Sequence, residues 1–335
     1  MTELGGKAGR KRSALFGGGP PDHLTIQECM QCCPAVYVSE SVAMADSINW
    51  PVKKREINDA YFESERWNAF PFREGDVVVA TYPKVGTNWM QQIVWQLIHG
   101  GQPGVEGLRN VAWLDMRVMP FKPVLAAYEA QASRRVIKTH LPLDALVFSP
   151  KAKYIVVGRD ARDMVWSAYN HQSLNDDEVL ALFNGPPGRP GAMVSRPDRD
   201  IRAYYLHFLD HDELPGFGFV PFWPHVQGWW DARKLPNVLL VHYTNLKADL
   251  QSEIRRIATF LTIEIEEATL PAIVEHCSFD YMRTNTNNHP NFNKGVNGRW
   301  RDVLSPAEIA RYDVVAAHRL SPGCAHWLKS GELPD

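Results

Sequence analysis

The chain has 335 residues, 45% of them hydrophobic and 22% charged, the composition of a soluble globular protein long enough to build a sizeable core. Its formal net charge of -2 argues against a bulk polyanion such as nucleic acid, and leaves room for a small anion held by a local basic site. No apolar run approaches the roughly 20 residues of a membrane helix, so no membrane partner is expected.

Residues 1–35 read as a flexible arm. MTELGGKAGRKRSALFGGGPPD is basic and glycine-rich without an apolar signal core, and its KAGRKR cluster reads as solvated charge. Three of the five cysteines crowd into CMQCC, as Cys29, Cys32 and Cys33, while Cys277 and Cys324 stand apart. A C-x-x-C pair can open a zinc site, but zinc wants four ligands and no second pair follows, so no metal is expected. An odd cysteine count without a secretory segment points to a reducing, cytoplasmic compartment.

Residues 36–335 read as a single α/β domain, because strand-then-helix segments signal a central, mostly parallel sheet flanked by helices. The first strand is DVVVATY, Asp76 to Tyr82. A loop leads to a helix beginning near Thr87, with Trp89, Met90, Ile93, Val94, Leu97 and Ile98 at helical spacing and Gly100-Gly101 at its end. RRVIKTH, Arg134 to His140, is the second strand. KYIVVGR, Lys153 to Arg159, is the third and runs through DARDMVWSAYNH into a helix. A long irregular insertion is expected over residues 184–230, where GPPGRPG and LPGFGFVPFWP are too rich in proline and glycine for helix or central strand. Insertions of that length in a compact domain are usually functional. NVLLVHY, Asn237 to Tyr243, is the fourth strand. The next helix has Leu250, Ile254, Ile257, Ala258 and Leu261 on one face, and Ser305-Pro306-Ala307-Glu308 is a capping box with proline at the first helical position.

Three strand ends carry the chemistry. In TYPKVGTNWM, Thr81 to Met90, backbone N–H groups at a helix start make an anion site, to which Lys84 adds a charge and Thr87 a hydroxyl. The loop is P-loop-like, yet the lysine precedes Gly86 instead of following the last glycine as in G-x-x-x-x-G-K-[ST]. Lys138 and His140, two apart on a strand, face the same side, outside the strand ends where parallel sheets bind ligands. A histidine there can take a proton from a hydroxyl, whereas a lone one would more often be a hydrogen-bonded edge residue. Arg159 can fork onto phosphate with help from Ser167, or can simply pair with Asp160 or Asp163. The result is a positive crevice with one candidate base and no carboxylate set for magnesium.

These segments resemble the cytosolic-type sulfotransferases that use 3′-phosphoadenosine 5′-phosphosulfate (PAPS). TYPKVGTNW is similar to the family's YPKSGTTW loop, IKTHLP to its catalytic-histidine segment, and VVGRDARDMVWSAY to its R-x-P-x-D-x-x-x-S-x-Y element. VHYTNLKADL resembles Y-E-D-M-K-x-D, HCSFDYM resembles HTSFxxM, and KGVNGRW resembles RKGxxGDW. The six lie in family order between about Asp76 and Leu304.

The resemblance implies a P-loop-like strand-loop-helix for the phosphosulfate and a role for each matched residue. Lys84 would hold the bridging oxygen and stabilise charge on the leaving phosphate. Gly86, Thr87 and Asn88 would bind the 5′-phosphate and Trp89 would stack on adenine. Lys138 would touch the sulfuryl group, and His140 would deprotonate the acceptor. Arg159 and Ser167 would bind the 3′-phosphate, Ser167 also influencing Lys84. Tyr243, Ser278, Phe279 and Met282 would line the nucleotide, and Lys294 and Gly295 would close over the 3′-phosphate. Val85 and Asn88 replace the usual serine and threonine without removing backbone amides. Asn293 stands where an arginine is usual, with Arg299 and Arg301 as the nearby cations. WRDVLSPAEIARYD lacks the family's dimer motif, so the usual dimer is not carried over.

The implied reaction is sulfuryl transfer from PAPS, leaving PAP, to a small acceptor bearing a hydroxyl or, in second place, an amine. No metal is required. The acceptor is expected to be partly hydrophobic, with Phe217, Phe219, Phe222 and Trp223 either walling its pocket or packing the insertion onto the domain. Two rivals stand beside it: a nucleotide-dependent phosphotransferase with a degenerate P-loop, and a nucleotide-binding relative without catalysis.

Overall fold

A computed structural model describes residues 48–109, 112–198, 200–287 and 295–334. The N-terminal arm, Cys29, Cys32, Cys33, Asn293 and Lys294 lie outside the described residues. From Trp50 to Asp335 the chain forms one compact unit.

Four parallel strands make the central sheet: β1 (Val77–Thr81), β2 (Val136–Thr139), β3 (Lys153–Gly158) and β4 (Val238–His242). Their order is β2-β1-β3-β4. Helices cover both faces of such a sheet, which is why its strands are runs of valine and isoleucine rather than alternating patterns. All five residues of β1 are buried. The register is nearly level: Ala80 pairs with Thr139 on one side and with Val156 on the other, and Gly158 pairs with His242. Residues following each strand therefore emerge along one edge. Strand order reverses at β1 and β3, the switch point where open α/β sheets bind ligands.

Helix α1 (Thr87–Ile98) starts where the sequence places it. It ends at left-handed Gly100 and Gly101 (φ 59° and 76°), with Gly101 N–H donating to the Gln96 carbonyl at 3.0 Å, a terminus that satisfies an orphan carbonyl. Helix α2 (Ala161–Gln172) is capped by the Asp160 carboxylate, which accepts from Arg162 N–H. A further helix, α3 (Asp177–Asn184), buries none of its residues.

The insertion differs from its expected irregularity. It contains α4 (Ile201–His211) and α5 (Phe222–Asp231). Asp200 caps α4. Pro221 is the N-cap of α5 and Pro224 lies in its first turn, where a missing N–H and a fixed φ do no harm. Proline density marked a helix start there, and α5 then buries Phe222, Trp223, Trp229 and Trp230.

Beyond β4 the expected strand stops one residue early. His242 accepts from Thr244 N–H as an N-cap, and Tyr243 begins a short helix. Helix α6 (Leu250–Leu261) buries Ile254, Ile257, Ala258 and Leu261, the face read from spacing. Helix α7 is Phe279–Asn285. Helix α8 (Pro306–Arg319) has the expected capping box between Ser305 and Glu308. The last helix, α9 (Pro322–Ser330), presses Trp327 so closely on Gly158 that a Cβ there would overlap the indole. Gly158 is the last residue of β3 and immediately precedes Arg159, so this contact packs the end of the strand.

Candidate active site

The β1–α1 loop is held in a conformation that few side chains adopt. Lys84 has φ 69° and Gly86 φ 119°. A Cβ on Gly86 would lie 2.9 Å from the Tyr243 ring, so only glycine lets the loop meet the residue after β4. Thr81 and Thr87 hydroxyls share a hydrogen bond at 2.6 Å. Trp89 Nε1–H donates to the Cys277 carbonyl at 2.8 Å, fixing the start of α1 beside α7.

At the end of β2, Lys138 Nζ lies 4.2 Å from the centre of the Trp113 ring, a cation–π contact. His140 Nδ1 is 2.7 Å from the Thr81 carbonyl oxygen. A carbonyl only accepts, so Nδ1 carries the proton and Nε2 keeps its lone pair. The imidazole is clasped edgewise by Trp113 and Phe219, at centroid distances of 4.8 and 6.0 Å. Below it, buried Asp115 accepts from Thr139 Oγ1 at 2.6 Å and from Trp67 Nε1 at 2.8 Å.

At the end of β3, Arg159 is buried and spans three elements. Its Nη1 donates to the Lys84 carbonyl at 3.1 Å and its Nη2 to Asn297 Oδ1 at 2.8 Å. Its guanidinium lies 4.1 Å over the Tyr243 ring. The simple reading as an ion pair fails among the described residues: Asp160 pairs with Arg162 at 2.5 Å, and Asp163 Oδ1 accepts from Gly298 N–H at 2.6 Å.

Crowding these cations shifts their ionisation. Burial, with Arg159 and Lys138 alongside, pulls Lys84 down to about 7. Burial lowers Lys138 to about 8, with the Asp115 carboxylate holding it up. Burial and the Lys138 charge keep the His140 imidazole well below its ordinary value, against the pull of the Thr81 hydrogen bond. His140 is therefore neutral at pH 7, the form a base requires. Burial also lifts Asp115 to about 6. Both lysines are half-buried and line the cavity.

One cavity of about 330 Å³ gathers these groups. Lys84, Gly86, Thr87, Asn88, Trp89, Lys138, His140, Arg159, Ser167, Tyr243, Phe279, Met282 and Gly295 all line it. Ser278 caps α7, its hydroxyl accepting from Tyr281 N–H. Phe217 and Phe219 line the cavity, whereas Phe222 and Trp223 are core residues packed on Phe208.

The sequence reading missed several lining residues. Asn170 and His171 line the cavity three and four positions after Ser167, the same face of α2, so helical spacing could have found them. Tyr61, Trp113 and Phe183 also line it, and no local signal marks them. Arg299 lines it too, while Arg301 stacks on Trp300 at 4.3 Å. No helix is long and apolar enough to cross a membrane, and no acidic, histidine or cysteine cluster could hold a metal, among the described residues.

Comparison with known proteins gives a consistent result. The sulfotransferase domain family matches residues 74–322. Glycolipid sulfotransferases of Mycobacterium bovis and Mycobacterium tuberculosis are each 30% identical, over 79% of this chain and 91% of theirs. Sulfotransferase 1A1 of Mus musculus is 28% identical, over 82% and 94%. The fold is shared with mouse sulfotransferase SULT7A1 complexed with PAP, at TM-score 0.60 and 22% identity over 78% of this chain and 90% of that one. It is also shared with retinol dehydratase in a complex with retinol and PAP, at TM-score 0.59 and 21% identity over 81% and 86%. The family match takes in every loop that brings a charged group to the cavity, and the protein belongs to the sulfotransferase family.

Proposed function

We propose that this chain transfers the sulfuryl group of PAPS to the hydroxyl of a small, partly hydrophobic acceptor, with His140 as the base. The observation that carries this reading is the convergence of Lys84, Lys138 and His140 on one cavity whose two ends differ in chemistry. One end has the α1 N-terminus, Arg159 and Ser167. The other is walled by Tyr61, Trp113, Phe183, Phe217 and Phe219.

The cavity suits a nucleotide bearing several negative charges. Arg159 is buried, and its Nε has no hydrogen-bond partner among the described residues; a buried, unsatisfied cationic donor is costly unless an anion meets it. The two solved structures compared above are PAP complexes, in keeping with the same co-substrate here. The curated relatives named glycolipid sulfotransferases agree with an acceptor that is apolar in part.

Each protein group then has a defined task. PAPS supplies a sulfuryl group on a phosphate leaving group, so the acceptor O–S bond forms as the S–O bond to phosphate breaks. Thr81 holds His140 in the tautomer that presents Nε2, and that atom takes the acceptor's proton. Lys138 steadies the sulfuryl oxygens, and Lys84 neutralises charge growing on the leaving phosphate. Catalysis is positioning plus preorganised charge, as in loose phosphoryl transfer. No step asks for a metal.

Incubation with PAPS and a panel of phenols, alcohols and amines, read by mass spectrometry, tests the reading. We expect sulfated products for hydroxyl acceptors, reduced about 10²- to 10⁴-fold in His140→Ala, the usual contribution of a general base. Undiminished product from that variant would remove His140 from its role. PAP binding without any product would make the protein a silent relative, and magnesium-dependent turnover of ATP would make it a phosphotransferase.

A further inference from the structure

We infer that Asp115 is a positioning residue: its buried carboxylate, set outside the cavity lining, holds Lys138 and His140 in place through Thr139. The assignment rests on the function proposed above for the tasks of those two side chains, and adds the group that fixes them.

Thr139 lies between Lys138 and His140 at the end of β2, so its side chain points to the opposite face of the strand. There its hydroxyl accepts from Leu141 N–H at 3.0 Å and donates to Asp115 Oδ2 at 2.6 Å. A hydroxyl has one proton to give, and a carboxylate that only accepts fixes the direction of this chain. The backbone on both sides of His140 is thereby tied to one oxygen, which also accepts from Trp67 Nε1 at 2.8 Å. Asp115, Thr139 and Trp67 are all fully buried, and Asp115 is not among the cavity-lining residues.

The segment that carries Asp115 is itself pinned. Glu63 N–H donates to the Asp115 carbonyl at 2.9 Å, and Arg66 Nη1 donates to the carbonyls of Met116 and Met119 at 2.8 and 2.9 Å. Two residues before Asp115, the Trp113 ring lies 4.2 Å from Lys138 Nζ and 4.8 Å from the His140 ring. One short segment thus grips the end of β2 from two sides, by an indole at the cavity and by a carboxylate beneath it.

The carboxylate also acts through its charge. Its two donors are neutral, and a buried carboxylate so placed is costly unless a cation answers it. Lys138, lowered to about 8 by burial, is held up by Asp115. The other ionisable groups around Asp115 are engaged: Arg135 pairs with Asp76 at 2.5 Å, and Tyr128, raised by burial and by Asp115, donates to the Ala112 carbonyl. On the cavity side Lys138 faces Lys84 and His140, both of which its charge lowers.

Two variants separate the tether from the charge. Asp115→Asn keeps an oxygen acceptor and removes the charge. Labelling lysine amines of the ligand-free full chain with acetic anhydride across pH, read by mass spectrometry, should show the half-point of Lys138 falling by about one pH unit in Asp115→Asn, with exposed Lys122 unmoved. Thr139→Val keeps the charge and removes the tether. It should leave the Lys138 half-point in place and lower kcat about 10- to 100-fold, the cost of misplaced groups, with acceptor KM and PAP affinity within about threefold, and Thr139→Ser should restore kcat. An unmoved Lys138 half-point in Asp115→Asn, or wild-type kcat in Thr139→Val, would overturn the assignment. A wild-type chain without sulfated product would instead remove the function proposed above, and the labelling comparison, which needs neither co-substrate nor acceptor, would still decide whether Asp115 acts on Lys138.

Discussion

The two ends of the cavity are built in different ways. The end proposed for the nucleotide consists of strand ends and helix starts close in sequence: Lys84 to Trp89 leave β1 for α1, and Arg159 to Ser167 leave β3 for α2. Its chemistry is fixed by backbone geometry, with Gly86 in a conformation and a space that exclude a side chain. The end proposed for the acceptor is assembled from far apart. Tyr61 stacks on Phe219 at 4.4 Å and meets Phe183 at 4.5 Å, while Trp113 comes from yet another segment. A site of the first kind tolerates little change. One of the second kind can exchange aromatics and change its ligand while the reaction stays the same.

The largest expected effect lies at the first end. Lys84→Ala should lower kcat about 10²- to 10³-fold, the range for a preorganised donor at developing charge, with less change in the acceptor's KM. Steady-state kinetics with any acceptor found active would measure it. A loss confined to KM would mean that Lys84 only binds, and the contrast between the ends would dissolve. Phe183→Ala should do the reverse. Its helix α3 buries no residue, so the variant should fold normally, raise the acceptor's KM about tenfold by lost apolar contact, and leave PAP affinity unchanged. A change in PAP affinity would show that the two ends are not separable.

This difference explains what the sequence makes legible. The four strands, the α1 start, the α6 face and the Ser305 capping box are local signals, each read from fewer than about a dozen residues. Lys84, Lys138, His140 and Arg159 were legible because strand ends must share one edge. Tyr61, Trp113 and Phe183 were not, since only the folded chain brings three separate segments together. The helices of the insertion were hidden for another reason. Pro221 and Pro224 have the same letters as breakers, and only burial of the tryptophans behind them shows that they open a helix. Ser278 shows a motif letter with a plain structural task, capping α7.

The smallest effect is the most specific to the charged end. Burial and neighbouring cations hold Lys84 at about 7 and Lys138 at about 8. A bound polyanion offsets that repulsion, so both pKa values rise in the complex and protons are taken up on binding. The sign follows: PAP affinity is greatest below pH 7, where the lysines are already charged, and falls as pH rises through 7 to 8, by up to about tenfold per pH unit for each proton bound. Calorimetry at pH 7.5 in buffers of differing ionisation enthalpy should show net uptake of a fraction of a proton to about one. Lys84→Arg, with a side chain charged throughout this range, should diminish the uptake, and Phe183→Ala should leave it unaltered. Proton release on binding, or uptake that persists undiminished in Lys84→Arg, would contradict a nucleotide end tuned by its own excess of positive charge.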